Sequence, residues 1–411
     1  MRKIFLIACT IFIVFFIIVS RHDSSNLSIE NLAYVIAIGI DNGENNLISL
    51  TLQVATSSTG DPSESESTSQ SNNSTITSVE CNSIESGINL INSYISKQIN
   101  LSHCKIIVFS EAFAVNGISN EISTLVNNIQ IRPDCSIAIS KSTAKDFLNM
   151  NKPVLVNLTA RYYEVVVSSG DYTGYSKNIT LSNFYNTLKD SCVEPTAILA
   201  GINFPDTTTI PDYTNYIDID SSYTANQLEI NNTNKMQISG LAVFNDGYLI
   251  GEMTSMDSIC HLILTGNLQN SIISIPDPYN SNEIINLSII QIQKPEISVN
   301  IVNGSPFIDC NLNISANILS LNDNSDYTTS QKLNTIVEYA NSYLESHILD
   351  YLYKTSTHFK SDTVGFGKYA ISKFLTIPEW TDFNWQENYK NSFFRVSVNT
   401  NITNSSLIQK N

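Results

Sequence analysis

The sequence predicts an α+β to α/β body of three domains, with mixed and antiparallel sheets, standing behind one N-terminal transmembrane helix. Three observations carry this expectation. An uncharged apolar run lies close to the N-terminus, strand and helix patterns alternate through the first half of the chain, and a later group of strands is followed by one long helix and a returning strand. The 411 residues leave ample chain beyond the first run to bury two or three cores.

Met1-Arg2-Lys3 is followed by a stretch from Ile4 to Ser20 without a charge, in which Ile4, Phe5, Leu6, Phe12, Phe15, Phe16 and Ile18 supply most of the bulk. About 17 residues rising ~1.5 Å each reach roughly 25 Å, a little under a hydrocarbon core of about 30 Å. Arg2 and Lys3 ahead of the run place the N-terminus in the cytoplasm and the body across the membrane. Residues 1–23 are therefore read as a membrane anchor or export segment. A cleaved signal peptide is the rival, with an apolar region of about 7–15 residues ending at small side chains; here the exit is Ile18-Val19-Ser20-Arg21. Leu6-Ile7-Ala8-Cys9 has the form of a lipoprotein box, so lipidation at Cys9 is a further alternative, although very little export segment precedes it.

The formal net charge of −16 argues against nucleic acid, because phosphate binding needs clustered Lys and Arg, and against a body lying flat on anionic lipid. Beyond Cys9 stand Cys81, Cys104, Cys135, Cys192, Cys260 and Cys310, widely spaced and without a CxxC pair. An exported body permits disulfides, but this spacing reads first as small buried thiols.

Residues 24–195 form the expected N-terminal α/β domain. Ala33 to Asp41 is an apolar run closed by Asn42-Gly43, and Ile48, Leu50, Leu52 and Val54 then alternate with polar residues, which predicts two strands and a turn. From about 56 to 78 the chain is Ser, Thr, Asn and Gln with acids, too polar to order itself, and is read as a disordered inserted loop. Ile84, Ile88, Ile91 and Ile95 share a helical face, as do Ile118, Ile122, Leu125 and Ile129; short buried strands follow at Lys105–Ser110 and Cys135–Ser140, and helices at Thr143–Met150 and Leu181–Leu188. This alternation is the α/β signature.

Residues 196–283 make the expected middle domain. Its strongest signal is Asn245-Asp246-Gly247 between two apolar runs, a hairpin over 238–251, with a helix from Asp257 to Gln269. Residues 284–404 make the expected C-terminal α+β domain. Strands Ile284–Ile292, Glu296–Val302 and Phe307–Leu319 lead to a long helix over about 331–353, whose face is Leu333, Val337, Ala340, Leu344, Ile348 and Tyr351. A last strand around Phe394 to Thr400 returns to an antiparallel sheet.

No catalytic constellation is legible. The five histidines form no HExxH or HxxxH pair, and GxSxG, Walker A and helix-opening GxGxxG patterns are missing. His103-Cys104 and Cys260-His261 are adjacent pairs in apolar surroundings, and Asp218/Asp220 is the kind of carboxylate pair an acidic chain produces by chance. Neither a cofactor nor a metal is expected.

Several pieces in order resemble the Ger(x)C proteins, the C-subunit family of bacterial spore germinant receptors. Asn31-Leu32-Ala33-Tyr34-Val35-Ile36-Ala37-Ile38-Gly39-Ile40-Asp41 is similar to the family's opening strand. Ser102-His103-Cys104-Lys105-Ile106-Ile107-Val108-Phe109-Ser110-Glu111 and Arg132-Pro133-Asp134 resemble its next strand and an arginine-containing turn. Gly240-Leu241-Ala242-Val243-Phe244 resembles its second-domain hairpin, Asp362-Thr363-Val364-Gly365-Phe366-Gly367 its Asp-x-x-Gly-x-Gly segment, and Trp380 and Trp385 its tryptophans, with Leu407-Ile408 where its chains stop. The departure is at the lipoprotein site: Ser20-Arg21-His22-Asp23 puts Arg21 where the family has its lipid-bearing cysteine, so the uncleaved helix stands in for the lipid, or Cys9 carries it.

The resemblance implies three α/β domains and a non-enzymatic subunit on the outer face of the spore's inner membrane, assembled with A and B subunits and needed for nutrient-triggered germination. It implies structural roles for Gly39, Asp41, Gly240, Phe244, Gly365, Phe366, Gly367, Trp380 and Trp385, and a small-molecule germinant that does not bind this chain directly. Two other readings stay open: a solute-binding protein that itself holds the germinant, and a cell-wall hydrolase with two converging acids.

Overall fold

The computed structural model describes residues 29–56, 74–153, 155–156, 158–203, 222–227, 232–321 and 330–404. The expected anchor, with Ile4, Phe5, Leu6, Cys9, Phe12, Phe15, Phe16 and Ile18, lies outside the described residues, as do Asp218, Asp220 and Leu407-Ile408. Among the described residues no helix is long and apolar enough to cross a membrane.

The first sheet grows outward from strand β1, Leu32–Asn42. On one side β2 (Ile48–Ala55) and β3 (Ser74–Cys81) add antiparallel strands. On the other, short β4 (Gln98–Asn100) pairs with the start of β1, and β5 (Ile106–Ser110), β6 (Ser136–Ser140) and β7 (Thr196–Ile202) continue in parallel. An antiparallel hairpin of β8 (Met236–Asn245) and β9 (Tyr248–Met253) completes nine strands. The parallel strands read as unbroken apolar runs because both faces are covered. Alternate side chains Ile38, Ile40, Ile107, Phe109, Ile137 and Ile139 pack with helices α1 (Ile84–Tyr94), α2 (Ser119–Asn127) and, further along the chain, α5 (Leu181–Leu188). Their neighbours Ala37, Ile106, Val108, Ala138 and Ile198 meet α3 (Ala144–Met150) and α4 (Thr159–Val167) on the opposite face.

The sheet corrects two expectations. Residues 74–78 of the loop expected to be disordered belong to β3, and the pairing there is polar: Thr51 Oγ1 meets Ser78 Oγ at 2.9 Å and Gln53 Nε2 donates to Ser74 Oγ at 2.9 Å. A backbone ladder closed by hydroxyls and amides needs few apolar residues, so its composition resembles that of a loop. The boundary expected at 195/196 also falls inside the sheet, since β7 hydrogen-bonds to β6 on one side and β8 on the other. In α2, Ile118 is the N-cap and Ile129, expected on the buried face, lies two residues beyond the helix and is 99% exposed.

The second sheet holds β10 (Ser271–Asp277), β11 (Asn280–Ile290), β12 (Glu296–Val302), β13 (Ser305–Leu321) and β14 (Phe393–Asn404). The boundary expected at 283/284 cuts through β11, whose partner β10 contains Pro276 and so reads as a linker in sequence. The expected antiparallel sheet is mixed, for β14 runs parallel to β13. A helix between two strands carries the chain back to the end where it began, and parallel pairing follows. That helix is α7, Ser330–Tyr353, which buries Ile336, Ala340, Leu344, Ile348 and Tyr351; Ile336 takes the place on its face expected of Val337, which is only half-buried. Helix α6, Ser255–Leu264, lies between the hairpin of the first sheet and α7, and only Asp257 escapes burial. Its N-terminus is closed by a capping box, with Thr254 and Asp257 each accepting the other's backbone N–H. Two short helices, α8 (Ile377–Phe383) and α9 (Trp385–Tyr389), complete the body. All six cysteines among the described residues are buried thiols, with Cys104 and Cys135 sulfurs 3.6 Å apart.

Candidate functional site: the Asp362 knot and its two cavities

Helix α7 passes into a π-helical turn, Lys354–Phe359, which Lys360 ends in the left-handed region at φ 52°. The chain then tightens around Asp362, a fully buried carboxylate. Its Oδ1 accepts the N–H of Gly365 at 2.8 Å, and its Oδ2 accepts the N–H of Gly367 and the indole N–H of Trp385, both at 2.9 Å. The carbonyl of Asp362 accepts the N–H of Glu194 at 2.8 Å, while Ser361 Oγ donates to the Phe244 carbonyl at 2.8 Å. One short segment thus fastens the 190s, the end of β8 and α9 to the end of α7. Burial pushes the Asp362 carboxyl up to about 6, against the pull of the N–H donors that favour its charged form.

The glycines of this segment are sterically required. Gly365 sits at φ 89°, and a Cβ on Gly367 would stand 2.5 Å from the Cys192 carbonyl oxygen. Phe366 is fully buried beside Tyr389 and Phe394. Trp380 and Trp385 stack with centroids 5.8 Å apart, both buried, and the Trp380 indole donates to Ser191 Oγ at 3.2 Å. Gly240, at φ 91°, lies where a Cβ would collide with the Met253 carbonyl, and Phe244 meets Phe184 edge-on at 5.0 Å.

The remaining motif pair lies elsewhere. At the end of β1, Gly39 leaves room for α3, since its Cβ would meet Leu148 at 3.1 Å and Ala144 at 3.2 Å. Two residues on, the Asp41 carboxylate accepts the N–H of Ala144 at 2.7 Å and of Lys145 at 3.0 Å, closing the N-terminus of α3 together with the Thr143 cap. The motif residues therefore form two groups, one seating a helix on the first sheet and one joining the two sheets.

Two cavities flank the knot, and Glu194 lines both. The larger, about 460 Å³, is bordered by Asp190, Asp246, Lys360, Glu387 and Lys390. The smaller, about 310 Å³, is bordered by Lys177, His261, Thr363 and Lys368 with apolar walls. Glu194 Oε2 accepts the N–H of Asp246 at 3.0 Å. Burial, reinforced by the charges of Asp246 and Asp362, pushes the Glu194 carboxyl up to about 7. A buried chain of hydroxyls also ends here: Thr363 Oγ1 to Tyr351 OH at 3.0 Å, and Tyr351 OH to His261 Nδ1 at 2.9 Å. Burial and the Lys177 charge drive the His261 pKa well below the usual histidine range, and its Nε2 has no partner.

The Cys260 thiol beside it is pushed far up by burial and is unreactive as a thiolate source. His103 packs edge-on against Tyr34. Among the described residues no three His, Cys, Asp or Glu side chains gather at metal-binding spacing. Sequence reasoning singled out the glycines and tryptophans of the knot but not Asp362 as the common acceptor of Gly365, Gly367 and Trp385, although an acid three and five residues ahead of two glycines carries that signal. Lys177 and Glu194 had none; only the fold brings them together.

Two family models match the chain in succession. The model for the spore germination protein N-terminal domain covers residues 25–202, and that for the spore germination B3/GerAC-like C-terminal domain covers 239–406. The chain belongs to the GerAC-like family of spore germination proteins. A solved structure described as the crystal structure of the GerBC protein shares the fold of this GerAC-like chain. It has a TM-score of 0.53 and 14% identity, over 89% of this chain and 97% of that one. No curated protein matches. The knot segment Asp362–Gly367 and the hairpin residues Gly240 and Phe244 all lie within the C-terminal GerAC-like match.

Proposed function

We propose that this chain is the C subunit of a spore germinant receptor. It acts without catalysis, held at the outer face of the spore inner membrane by residues 1–23, with its N-terminus in the cytoplasm. The observation that carries the reading is the successive match of both family models to its two halves. The geometry agrees with an assembly role: the family-motif residues serve to seat α3 and to join the two sheets, and none converges on a nucleophile or a paired acid. The implied partners are a transporter-like B subunit and an A subunit.

Deletion of the coding sequence in a spore-former is expected to abolish the response to at least one nutrient while leaving spores viable by a nutrient-independent trigger. An affinity-tagged copy should co-purify a polytopic membrane protein. Normal germination with every nutrient, together with no such partner, overturns the proposal. The mass of the mature N-terminal peptide distinguishes an intact helix from a cleaved end or a lipid on Cys9.

A further inference from the structure

We propose that the smaller cavity, between Lys177, His261, Glu194, Thr363 and Lys368, is a binding site for a small organic anion whose carboxylate it recognises. The site is built where the first sheet meets α6 and the knot. Phe184 and its helix α5 come from the first sheet, His261 from α6 and Thr265 from its C-cap, and Thr363 and Val364 from the knot. Its volume of about 310 Å³ is at the small end of ligand pockets, which run from roughly 300 to 1,000 Å³. Ile179, Phe184, Val193 and Val364 give it apolar walls, so the occupant carries a short hydrocarbon part beside its charge.

The polar groups select the sign of that charge. Lys177 is half-buried, and among the described residues no carboxylate forms an ion pair with it. Burial, and after it the charge of Lys368, lowers the Lys177 pKa, so an anion in the cavity that both residues line would favour its charged form. Lys368 itself is engaged only loosely, 3.4 Å from Asp190 on an exposed stem. A half-buried ammonium without a carboxylate partner is relieved by an anion in the cavity that it lines.

His261 sets the second contact. A buried polar atom without a partner is rare in a native interior, and its Nε2 is one. Its Nδ1 is within 2.9 Å of Tyr351 OH, which is itself 3.0 Å from Thr363 Oγ1. When Thr363 donates to Tyr351 and Tyr351 donates to Nδ1, the neutral ring keeps its proton on Nε2. The neutral imidazole then offers its Nε2–H as a donor from the wall that Lys177 also lines, and the two groups together suit a carboxylate. Glu194, which also lines the cavity, offers an acceptor to a hydroxyl or amine on the occupant.

This inference does not depend on the receptor assignment, because it concerns the purified chain without partners. Calorimetry and thermal denaturation of the purified full-length chain with acetate, butyrate, lactate and alanine, against butyramide and sodium sulfate, test it. The expected result is saturable binding of at least one carboxylate, with no binding of the amide. Lys177→Met should weaken that binding at least tenfold, and Lys177→Arg should largely keep it. Thr363→Val, which breaks the relay while leaving the cavity intact, should weaken it severalfold. Circular dichroism of each variant separates loss of binding from loss of fold. No saturable binding by any carboxylate overturns the proposal, as does equal binding by the amide or by folded Lys177→Met. A sulfate response equal to that of the carboxylates would show general screening and would also overturn it.

Discussion

Glu194 and Asp362 are carboxyls that the fold makes reluctant to ionise, pushed up to about 7 and about 6 from ordinary values of 4.5 and 3.8. A carboxyl with a raised folded pKa binds protons in the native state before the unfolded one does. Its contribution is therefore most favourable below the unfolded value and is lost as pH rises through the folded value. The two groups together should lower the denaturation midpoint as pH rises from about 4 to about 7, opposite to the usual acid-labile behaviour. Glu194→Gln keeps the acceptor for the Asp246 N–H and removes the charge. It should flatten the upper part of that decline and raise neutral stability by on the order of 2 kcal/mol, read from urea curves at several pH values. The glycines give a second contrast. Gly240→Ala meets both a left-handed backbone and the Met253 carbonyl and should cost about 2–4 kcal/mol, whereas Gly304, at φ 81° with open space around it, should cost about 1–2 kcal/mol as Ala. Paired melts of the two variants check this. The sequence marks such glycines as turn-formers but cannot say which carbonyl lies opposite.

Elements with a strong period were legible. The apolar face of α1, the hairpin turn at Asn245-Asp246-Gly247, strands β12 and β13 and the long helix α7 all stand close to where pattern put them. Those missed were short or polar: β4 has three residues, β3 pairs through hydroxyls, and α4 has its buried positions in Thr159, Tyr163 and Val167, a face narrower than periodicity detects. Capping is where element and residue meet. The α3 helix of seven residues is too short to persist without its N-terminal acceptors. Asp41→Ala removes two charge-assisted bonds to it and should cost about 1–3 kcal/mol. Faster hydrogen exchange should concentrate at the amides of Ala144 and Lys145, while α1 on the opposite face stays protected. Unchanged exchange at those amides would count against the capping role.

At the scale of the whole molecule, the divisions expected from composition do not coincide with the divisions of the sheets. The weakened pattern from Gly201 to Asn234 suggests a boundary, yet the ladder between β7 and β8 closes over that gap, and every residue of β7 is buried. Long-range pairing of this kind leaves no local mark, because each strand looks the same whichever neighbour it finds. A fragment ending at Asn203 would uncover β7 along a full edge and is expected to aggregate or remain unfolded, whereas the chain through residue 404 should elute as a folded species. Size-exclusion chromatography with near-ultraviolet circular dichroism decides between them. A folded, monomeric fragment would show that β8 and β9 are an addition and not a component of that sheet.

The position of β14 gives the protein a sense of time. Phe393 lies beside Phe307, and the register continues to Asn404 against Asn317, so the strand that covers one flank of β13 is made only after the whole of α7 has intervened. Until it arrives, β13 offers an open edge and α7 lacks a surface it packs against. Closure over so many intervening residues is slow compared with local helix or hairpin formation. The second sheet is accordingly held incomplete until residues 393–404 have been made, and a truncation that removes β14 would act on its whole core and not on a tail.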